Sequence, residues 1–204
     1  MTVFTPANIA ALIIASSFAA GLNVYATVLT LGVLARTHTV ALPPGLEMLG
    51  QWWVIGASGA MFALEFVADK IPAFDMVWNA LHTFIRPPIA ALIAYQASSQ
   101  LSPEMKLLAA VAGGSIALVS HGSKTAVRAA VTPSPEPVSN IVLSTSEDVL
   151  AVGVTWLTTK HPWVAASIAA TLTICAVFAV RWSYRLLRKI WRRPPPAASP
   201  AATP

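Results

Sequence analysis

The first apolar run of the chain, from about Asn8 to Ala35, contains no charged residue. A helix needs about 20 consecutive apolar residues to cross a bilayer. The run is too long for the apolar region of a cleaved signal peptide, and no basic segment precedes it. We therefore predict a retained membrane span, in which Asn23 and Tyr25 either pack against another helix or line a cavity. The composition agrees, because 10% of the residues are charged, whereas soluble domains have about 25%.

The later apolar runs predict an all-α, polytopic membrane helix bundle within a single domain of residues 1–190. The six expected spans are residues 8–35, 51–68, 73–98, 104–130, 140–159 and 163–188. Proline interrupts the hydrogen-bond ladder, so we expect broken or kinked helices near Pro72, Pro87 and Pro135. We interpret 73–98 as one kinked span, with a re-entrant hairpin as the alternative. Residues 191–204 are rich in proline and alanine and predict a disordered cytoplasmic tail.

The stretch from Glu65 to Pro88 places charged residues inside an otherwise apolar chain. At helical spacing, Asp75, Asn79, His82 and Arg86 would follow one another along one face of a single helix. A charged side chain at membrane depth costs at least about 2.5 kcal/mol on insertion scales. Such residues are therefore expected to pair with opposite charges or to face water.

Two later segments carry polar residues that we expect at the same side of the membrane. His121, Lys124 and Arg128 share a basic helix face, and the pattern from Ser144 to Glu147 fits a capping box at the start of a helix. Two interpretations stay open: a charged cavity entered from the cytoplasm, or ion pairs that hold loops together at the interface. The candidate residues are Glu65, Asp69, Lys70, Asp75, Asn79, His82, Arg86, His121, Lys124, Arg128, Glu136, Ser139, Asn140, Glu147 and Asp148.

A basic cluster follows the last predicted span, and it indicates contact with anionic lipid headgroups. Cytoplasmic segments near membrane spans are enriched in Lys and Arg, so the cluster predicts a cytoplasmic C-terminus. Six spans would place the N-terminus on the same side. Because the cluster adjoins a span rather than a folded basic face, we expect no nucleic-acid partner, and homo-oligomerisation stays open. The basic residues are Arg181, Arg185, Arg188, Lys189, Arg192 and Arg193.

Sequence motifs of catalysis are missing. We find no phosphate-binding glycine loop, no dinucleotide fingerprint, no HExxH and no GxSxG. The chain has a single cysteine, Cys175, and its Cys/His spacing does not suggest zinc. We therefore predict no enzymatic activity, no cofactor and no metal, and a buried thiol at Cys175.

Three stretches of the sequence together resemble one protein family. GLNVYATVLTLGVLAR, FVADKIPAFDMVWNALHTFIRPP and SPEPVSNIVLSTSEDVLA are similar to the small bacterial membrane proteins of domain of unknown function 4126. The resemblance covers roughly residues 10–180. It implies an integral domain of the bacterial inner membrane, without an assigned activity. The motif residues that it implies are Asp69, Lys70, Pro72, Asp75, Trp78, His82, Arg86, Ser134, Pro135, Glu136, Pro137, Ser139, Asn140, Glu147 and Asp148.

The charged residues beside the helix breaks lead to one functional hypothesis and one alternative. We expect a small transporter, channel or flippase-like protein for a polar or anionic solute or lipid headgroup. Lys124 and Arg128 would bind the anion, and Asp75, His82 or Glu147 would carry protons. The alternative is a non-catalytic membrane scaffold or assembly factor that uses the basic C-terminal tail.

Overall fold

The computed structural model describes residues 4–131 and 137–191. Within these ranges the structure does not describe the side chains of residues 72, 73, 75, 76, 129–131, 137–140, 179, 183, 184 and 186–191. The regular elements of the described chain are all helical, which confirms the predicted all-α class. They are α1 (Pro6–Leu22), α2 (Val24–Arg36), a 3₁₀ helix (Pro44–Gly50), α3 (Trp52–Ala68), α4 (Pro72–His82), α5 (Arg86–Ala97), α6 (Pro103–Val131), α7 (Pro137–Lys160) and α8 (Pro162–Trp191).

Prolines mark where most of these helices begin. Proline suits the first position of a helix because the amide hydrogen that it lacks would have no partner there. Five of the α-helices and the 3₁₀ helix begin at a proline. The predicted breaks near Pro72 and Pro87 are confirmed, because α4 begins at Pro72 and Pro87 is the second residue of α5. Pro135 lies outside the described residues.

Three helices of the described chain are long and apolar enough to cross a membrane. They lie in residues 103–128, 141–160 and 162–182, within α6, α7 and α8. The apolar helices α1, α2 and α3 are shorter, at 17, 13 and 17 residues. At 1.5 Å per residue, the longest of these extends about 25 Å, slightly less than the hydrocarbon core. The structure thus combines long crossing helices with shorter ones.

The predicted first span is two helices rather than one, because the chain breaks at Asn23. This residue is extended (φ −150°, ψ 104°) and caps α2 through its side chain. Trp163 Nε1 donates to Asn8 Oδ1 (3.1 Å) near the start of α1, and Lys160 Nζ donates to the Thr39 carbonyl (3.2 Å) just after α2. Both contacts involve the α7–α8 turn. The start of α1 and the end of α2 therefore lie at the same end of the bundle, and the two helices form a hairpin with Asn23 at its tip.

A second hairpin consists of α3, α4 and α5. The amide of Gly45, ahead of α3, donates to Ser99 Oγ just after α5 (3.2 Å). The start of α3 and the end of α5 are thus at the same end of the bundle, so residues 51–68 and 73–98 run in opposite directions. Residues 73–98 contain two helices, α4 and α5, instead of one continuous helix. The predicted single stripe through Arg86 is wrong, because α4 ends at His82 and Arg86 begins another helix.

Helix α4 connects the two long arms of this second hairpin and is amphipathic. Phe74, Val77, Leu81 and the following Phe84 are exposed, whereas Asn79 is buried towards the protein. In a chain with membrane-crossing helices, such an apolar face suits the hydrocarbon boundary of the bilayer. Cys175 likewise lies exposed on α8, and not buried as the sequence predicts.

The extra reversal at Asn23 changes where the ends of the described chain lie. Helix α8 begins beside the start of α1, and its 30 residues extend to the opposite end. The first and last described helices therefore leave the bundle at opposite ends, whereas six crossings would bring them to the same end. The physical reason is that one predicted crossing became a hairpin.

Small residues allow the hairpins to pack closely against α6. A Cβ atom at Gly21 would lie 2.5 Å from the Ala117 carbonyl oxygen, and one at Gly113 would lie 2.6 Å from Ala94 Cβ. Close approach of helices through small residues is typical of membrane proteins.

Gly113→Ala should lower the free energy of unfolding by about 1–3 kcal/mol, because its methyl group would overlap backbone-fixed atoms of α5. Gly122→Ala in the same helix is the matched control, since a Cβ there meets nothing within 4 Å. We expect it to be neutral or stabilising by up to about 1 kcal/mol. Thermal unfolding of both variants in detergent tests this, and equal midpoints would contradict the close α5–α6 contact.

Candidate functional site at the hairpin tips

Ten of the candidate side chains meet where the tips of the two hairpins contact α6 and α7. Each residue has at most 8% of its surface exposed. Lys124 lies seven residues before the end of α6, and Glu147 lies ten residues after the start of α7. These distances are about 10 and 15 Å along the helices. We call this group the charged cluster; its members are Glu65, Asp69, Asn79, His82, Arg86, His121, Lys124, Arg128, Glu147 and Asp148.

Arg86 joins three helices of the charged cluster. As the first residue of α5, it directs its guanidinium between α1, α3 and α6. Nη2 binds the carboxylate of Glu65, while Nη1 donates to the Gly21 carbonyl (3.0 Å) and to His121 Nδ1 (2.9 Å). A fully buried Arg is stable only when paired and hydrogen-bonded in this way.

These contacts also fix the protonation of His121. A guanidinium can only donate hydrogen bonds, so His121 Nδ1 must accept and carries no proton. The other ring nitrogen, Nε2, is 3.0 Å from the Asn79 carbonyl, which can only accept, and 3.0 Å from Thr83 Oγ1. His121 is therefore the neutral tautomer with its proton on Nε2.

Lys124 and Arg128, one turn apart on α6, share the same two carboxylates. Asp69 Oδ2 lies 3.0 Å from Lys124 Nζ and 3.0 Å from Arg128 Nη2. Glu147 Oε2 lies 3.2 Å from Lys124 Nζ and also pairs with Arg128 Nη2. Lys124 Nζ is in addition 3.7 Å from Glu65 Oε1. The ion pairs thus form one continuous network across α3, α5, α6 and α7.

The broken end of α1 supplies neutral partners to this network. The carbonyl of Gly21 accepts from Arg86, and the carbonyl of Leu22 accepts from Lys124 Nζ (3.2 Å). The end of a helix carries a partial negative charge, so cations are stabilised there. At the tip itself, Asn23 Oδ1 accepts from the Ala26 amide (2.9 Å), and Asn23 Nδ2 donates to the carboxylate of Asp148 (2.8 Å).

An apolar groove lies beside the charged cluster. It has a volume of about 270 Å³ and is lined by side chains of α2, the 3₁₀ helix, α3 and α5. Tyr25 lines its inner end, and the Tyr25 hydroxyl lies 3.1 Å from His82 Nε2. His82 Nδ1 donates to the Trp78 carbonyl (2.7 Å). The groove therefore joins an apolar surface to a polar contact of the cluster.

The remaining candidate residues lie elsewhere or are not described. Lys70 is half-buried outside the ion-pair network; its Nζ donates to the Phe66 carbonyl (2.9 Å) and lies over the Phe66 ring. The side chains of Asp75, Ser139 and Asn140, and all of Glu136, lie outside the described residues. Of the basic cluster on α8, Arg181 and Arg185 are exposed. The side chains of Arg188 and Lys189, and all of Arg192 and Arg193, lie outside the described residues.

Some contributors to the cluster were not identified from the sequence. The carbonyls of Gly21 and Leu22 carry no side-chain signal, and Thr83 was not singled out. Asn23 was considered, but its role was left open between packing and cavity lining. The sequence GLN in an otherwise strong helix-forming run is the one available signal, because Gly and Asn both weaken a helix interior.

The sequence matches the model of one protein family over most of its length. The family described as Domain of unknown function (DUF4126) matches residues 10–182. The chain belongs to this family. The DUF4126 match contains the first hairpin from residue 10 onward, the second hairpin, α6, α7 and the whole charged cluster. Comparisons with the curated proteins and with the solved structures gave no match. Among the described residues of this DUF4126 protein, no group of three His, Cys, Asp or Glu side chains is placed to hold a metal ion.

Glu65→Gln should destabilise this DUF4126 protein by about 3–5 kcal/mol, because Arg86 would keep its buried charge without its acid. The double variant Glu65→Leu with Arg86→Met should lose less stability than Glu65→Gln, since neither buried charge remains. Glu104→Gln, at an exposed position in the first turn of α6, is the control and should lower stability by at most about 1 kcal/mol. Thermal unfolding in detergent measures all three variants. A midpoint for Glu65→Gln as high as that of the control would contradict the buried Glu65–Arg86 ion pair.

Proposed function

We propose that this protein is a membrane transporter or flippase-like protein for an anionic solute or headgroup, in a closed conformation. The observation that carries the proposal is the carboxylate of Glu147, which bridges the buried cations Lys124 and Arg128. Ionisable groups buried among membrane helices are costly, and they commonly mark substrate or ion pathways. Broken helices at such a site are a recurrent feature of transporters.

In this proposal, Glu147 occupies the position that a substrate anion takes when the protein opens. Its side chain is 11% exposed, whereas those of Glu65 and Asp69 are fully buried. Glu147 is thus the acid in the network that an incoming anion reaches first. A carboxylate or phosphate group would displace it and bind Lys124 as a point charge and Arg128 through its planar fork of donors.

The apolar groove beside Tyr25 supports extending the proposal to amphiphiles. A substrate with an aliphatic portion and an anionic end would need an apolar surface next to a cationic site. The groove supplies the first and the charged cluster supplies the second. Ligand sites in proteins commonly combine apolar walls with a few convergent polar groups.

For its location we propose the bacterial inner membrane, with the end of α8 in the cytoplasm. Support comes from the exposed Arg181 and Arg185 near the end of α8, because basic residues favour the cytoplasmic side. The charged cluster would then lie nearer the cytoplasmic face. The exposed arginines also favour contact with anionic lipids, which is the specific support for the alternative of a lipid-docked scaffold.

Glu147→Gln should strengthen binding of inorganic phosphate or acetate about tenfold, because the competing carboxylate charge is removed. The expected gain corresponds to about 1.4 kcal/mol. Arg128→Lys should weaken binding, since it keeps the charge but loses the fork geometry. Binding can be measured by isothermal calorimetry in detergent, and flux by uptake of the labelled anion into proteoliposomes.

Lys70→Met is the matched control, because Lys70 lies outside the ion-pair network. If Glu147→Gln and Arg128→Lys fold but bind and transport both anions no differently from Lys70→Met, the anion role is wrong. Removal of residues 192–204 distinguishes the transporter from the alternative, a scaffold that uses the C-terminal tail. Loss of cellular function with an intact, folded core would favour the scaffold.

A further inference from the structure

Asp148 differs from the other acids of the charged cluster in what it contacts. Glu65, Asp69 and Glu147 each form an ion pair with an Arg or Lys. Asp148 forms no ion pair with a Lys or Arg in the described part of the chain, and its Oδ1 accepts from the neutral amide of Asn23 (2.8 Å). Its other oxygen, Oδ2, has no hydrogen-bond partner in the described part of the chain, although only 5% of the residue is exposed.

The charges of the cluster do not balance if every acid is ionised. The described side chains give four acids (Glu65, Asp69, Glu147 and Asp148) against three bases (Arg86, Lys124 and Arg128). His121 is neutral by its hydrogen bonds. Burial lowers the pKa of His82 to about 4, so that ring is also uncharged at neutral pH. The undescribed side chains between residues 72 and 140 include no Lys, Arg or His that could supply a fourth positive charge. An excess charge in a buried site is strongly unfavourable.

Lys124 and Lys70 lie near enough to attract the Asp148 carboxylate, but neither forms an ion pair with it. Lys124 on α6 is directed at Asp69, Glu147 and the Leu22 carbonyl. Glu65 and Asp69 on α3 are acids themselves, as is Glu147 on α7. Lys70, after α3, directs its ammonium at the Phe66 ring and carbonyl instead. On α7, one turn before Asp148, Ser144 is fully buried, and its hydroxyl likewise has no partner among the described residues.

We propose that Asp148 holds a proton in this closed conformation and is the proton-binding site of the protein. A hydronium ion from bulk water supplies the proton: one of its O–H bonds breaks, a water molecule leaves, and an O–H bond forms on Asp148 Oδ2. The described charges of the cluster then balance, with three ionised acids and three bases. A metal ion would need several oxygen ligands, whereas the nearby Gly21 and Leu22 carbonyls are already bonded to Arg86 and Lys124.

The role of this proton rests on the proposed transport function, in which the proton is the coupling ion. Asn23 is the tip of the first hairpin, and its amide is the direct contact between that tip and Asp148. Loss of the proton leaves a net negative charge beside the tip, which favours opening of the cluster to water. Proton binding at Asp148 is thereby coupled to the conformation of the hairpin.

Infrared spectroscopy of the purified protein tests the proposal directly. At neutral pH we expect a carboxylic-acid C=O band that shifts when aspartate, but not glutamate, is ¹³C-labelled. The band should be absent from Asp148→Asn and shifted in Asn23→Ser, which alters the hydrogen bond to Oδ1. The labelled wild-type protein provides the test even if a variant fails to fold. Absence of an aspartic-acid band at neutral pH overturns the proposal.

Thermal unfolding gives a second, independent readout. Asparagine resembles a protonated aspartic acid, so Asp148→Asn should leave the unfolding midpoint at neutral pH nearly unchanged. Asp69→Asn in the same cluster is the matched control and should lower it by roughly 10 °C, because Lys124 and Arg128 lose a shared partner. Equal, large losses in both variants would show that Asp148 is ionised and overturn the proposal. Neither measurement needs a transport substrate, so an infrared band without anion flux would reject transport and leave the proton site standing.

Discussion

The structure depends on how it satisfies the backbone carbonyls at the broken end of α1. A helix that stops inside a membrane bundle exposes carbonyl groups that water cannot reach, and each must find a donor. Arg86 and Lys124 supply donors to Gly21 and Leu22. Those cations are themselves tolerable only because Glu65 and Asp69 lie against them. The break at the end of α1 thus requires donors from two other helices, α5 and α6. Those positively charged donors in turn require the acids at the end of α3.

Because the carbonyls need donors and the donors need acids, the buried charges form a network and not isolated pairs. Asp69 and Glu147 each contact both Lys124 and Arg128, so removal of either acid weakens the pairing of both cations. Buried ion pairs contribute little net stability compared with apolar packing, although they are costly to break singly. The proposed transport function gives these ion pairs a role beyond stability.

The sequence predicted the charged side chains of the site better than it predicted the path of the chain. Proline positions located most helix starts, and the cost of buried charge identified the residues that would converge. The hairpin at Asn23 was missed because the run from residue 8 to 35 has uniform apolar character, and the break is stabilised by Arg86 and Lys124, which are distant in sequence. Long-range contacts of this kind leave no local pattern.

The capping pattern at Ser144 was misleading for a related reason. The residues fit a helix start, but α7 is already helical from Pro137, and Ser144 is buried within it. The capping pattern alone would place Glu147 at a helix terminus, whereas it lies within α7 and contacts cations of α6. Local propensity was outweighed by tertiary contacts, which is the usual outcome at sites that carry a specific role.

The position of each partner in the chain has a consequence for assembly during synthesis. Glu65 and Arg86 belong to the same hairpin and lie 21 residues apart, so they can neutralise each other before α6 is made. Asp69 takes its cations from α6, and those cations share Glu147 from α7. Among the described acids of the charged cluster, Asp69 therefore enters the membrane still dependent on later helices. Completion of α7, rather than insertion of any single helix, is the step that seals the site.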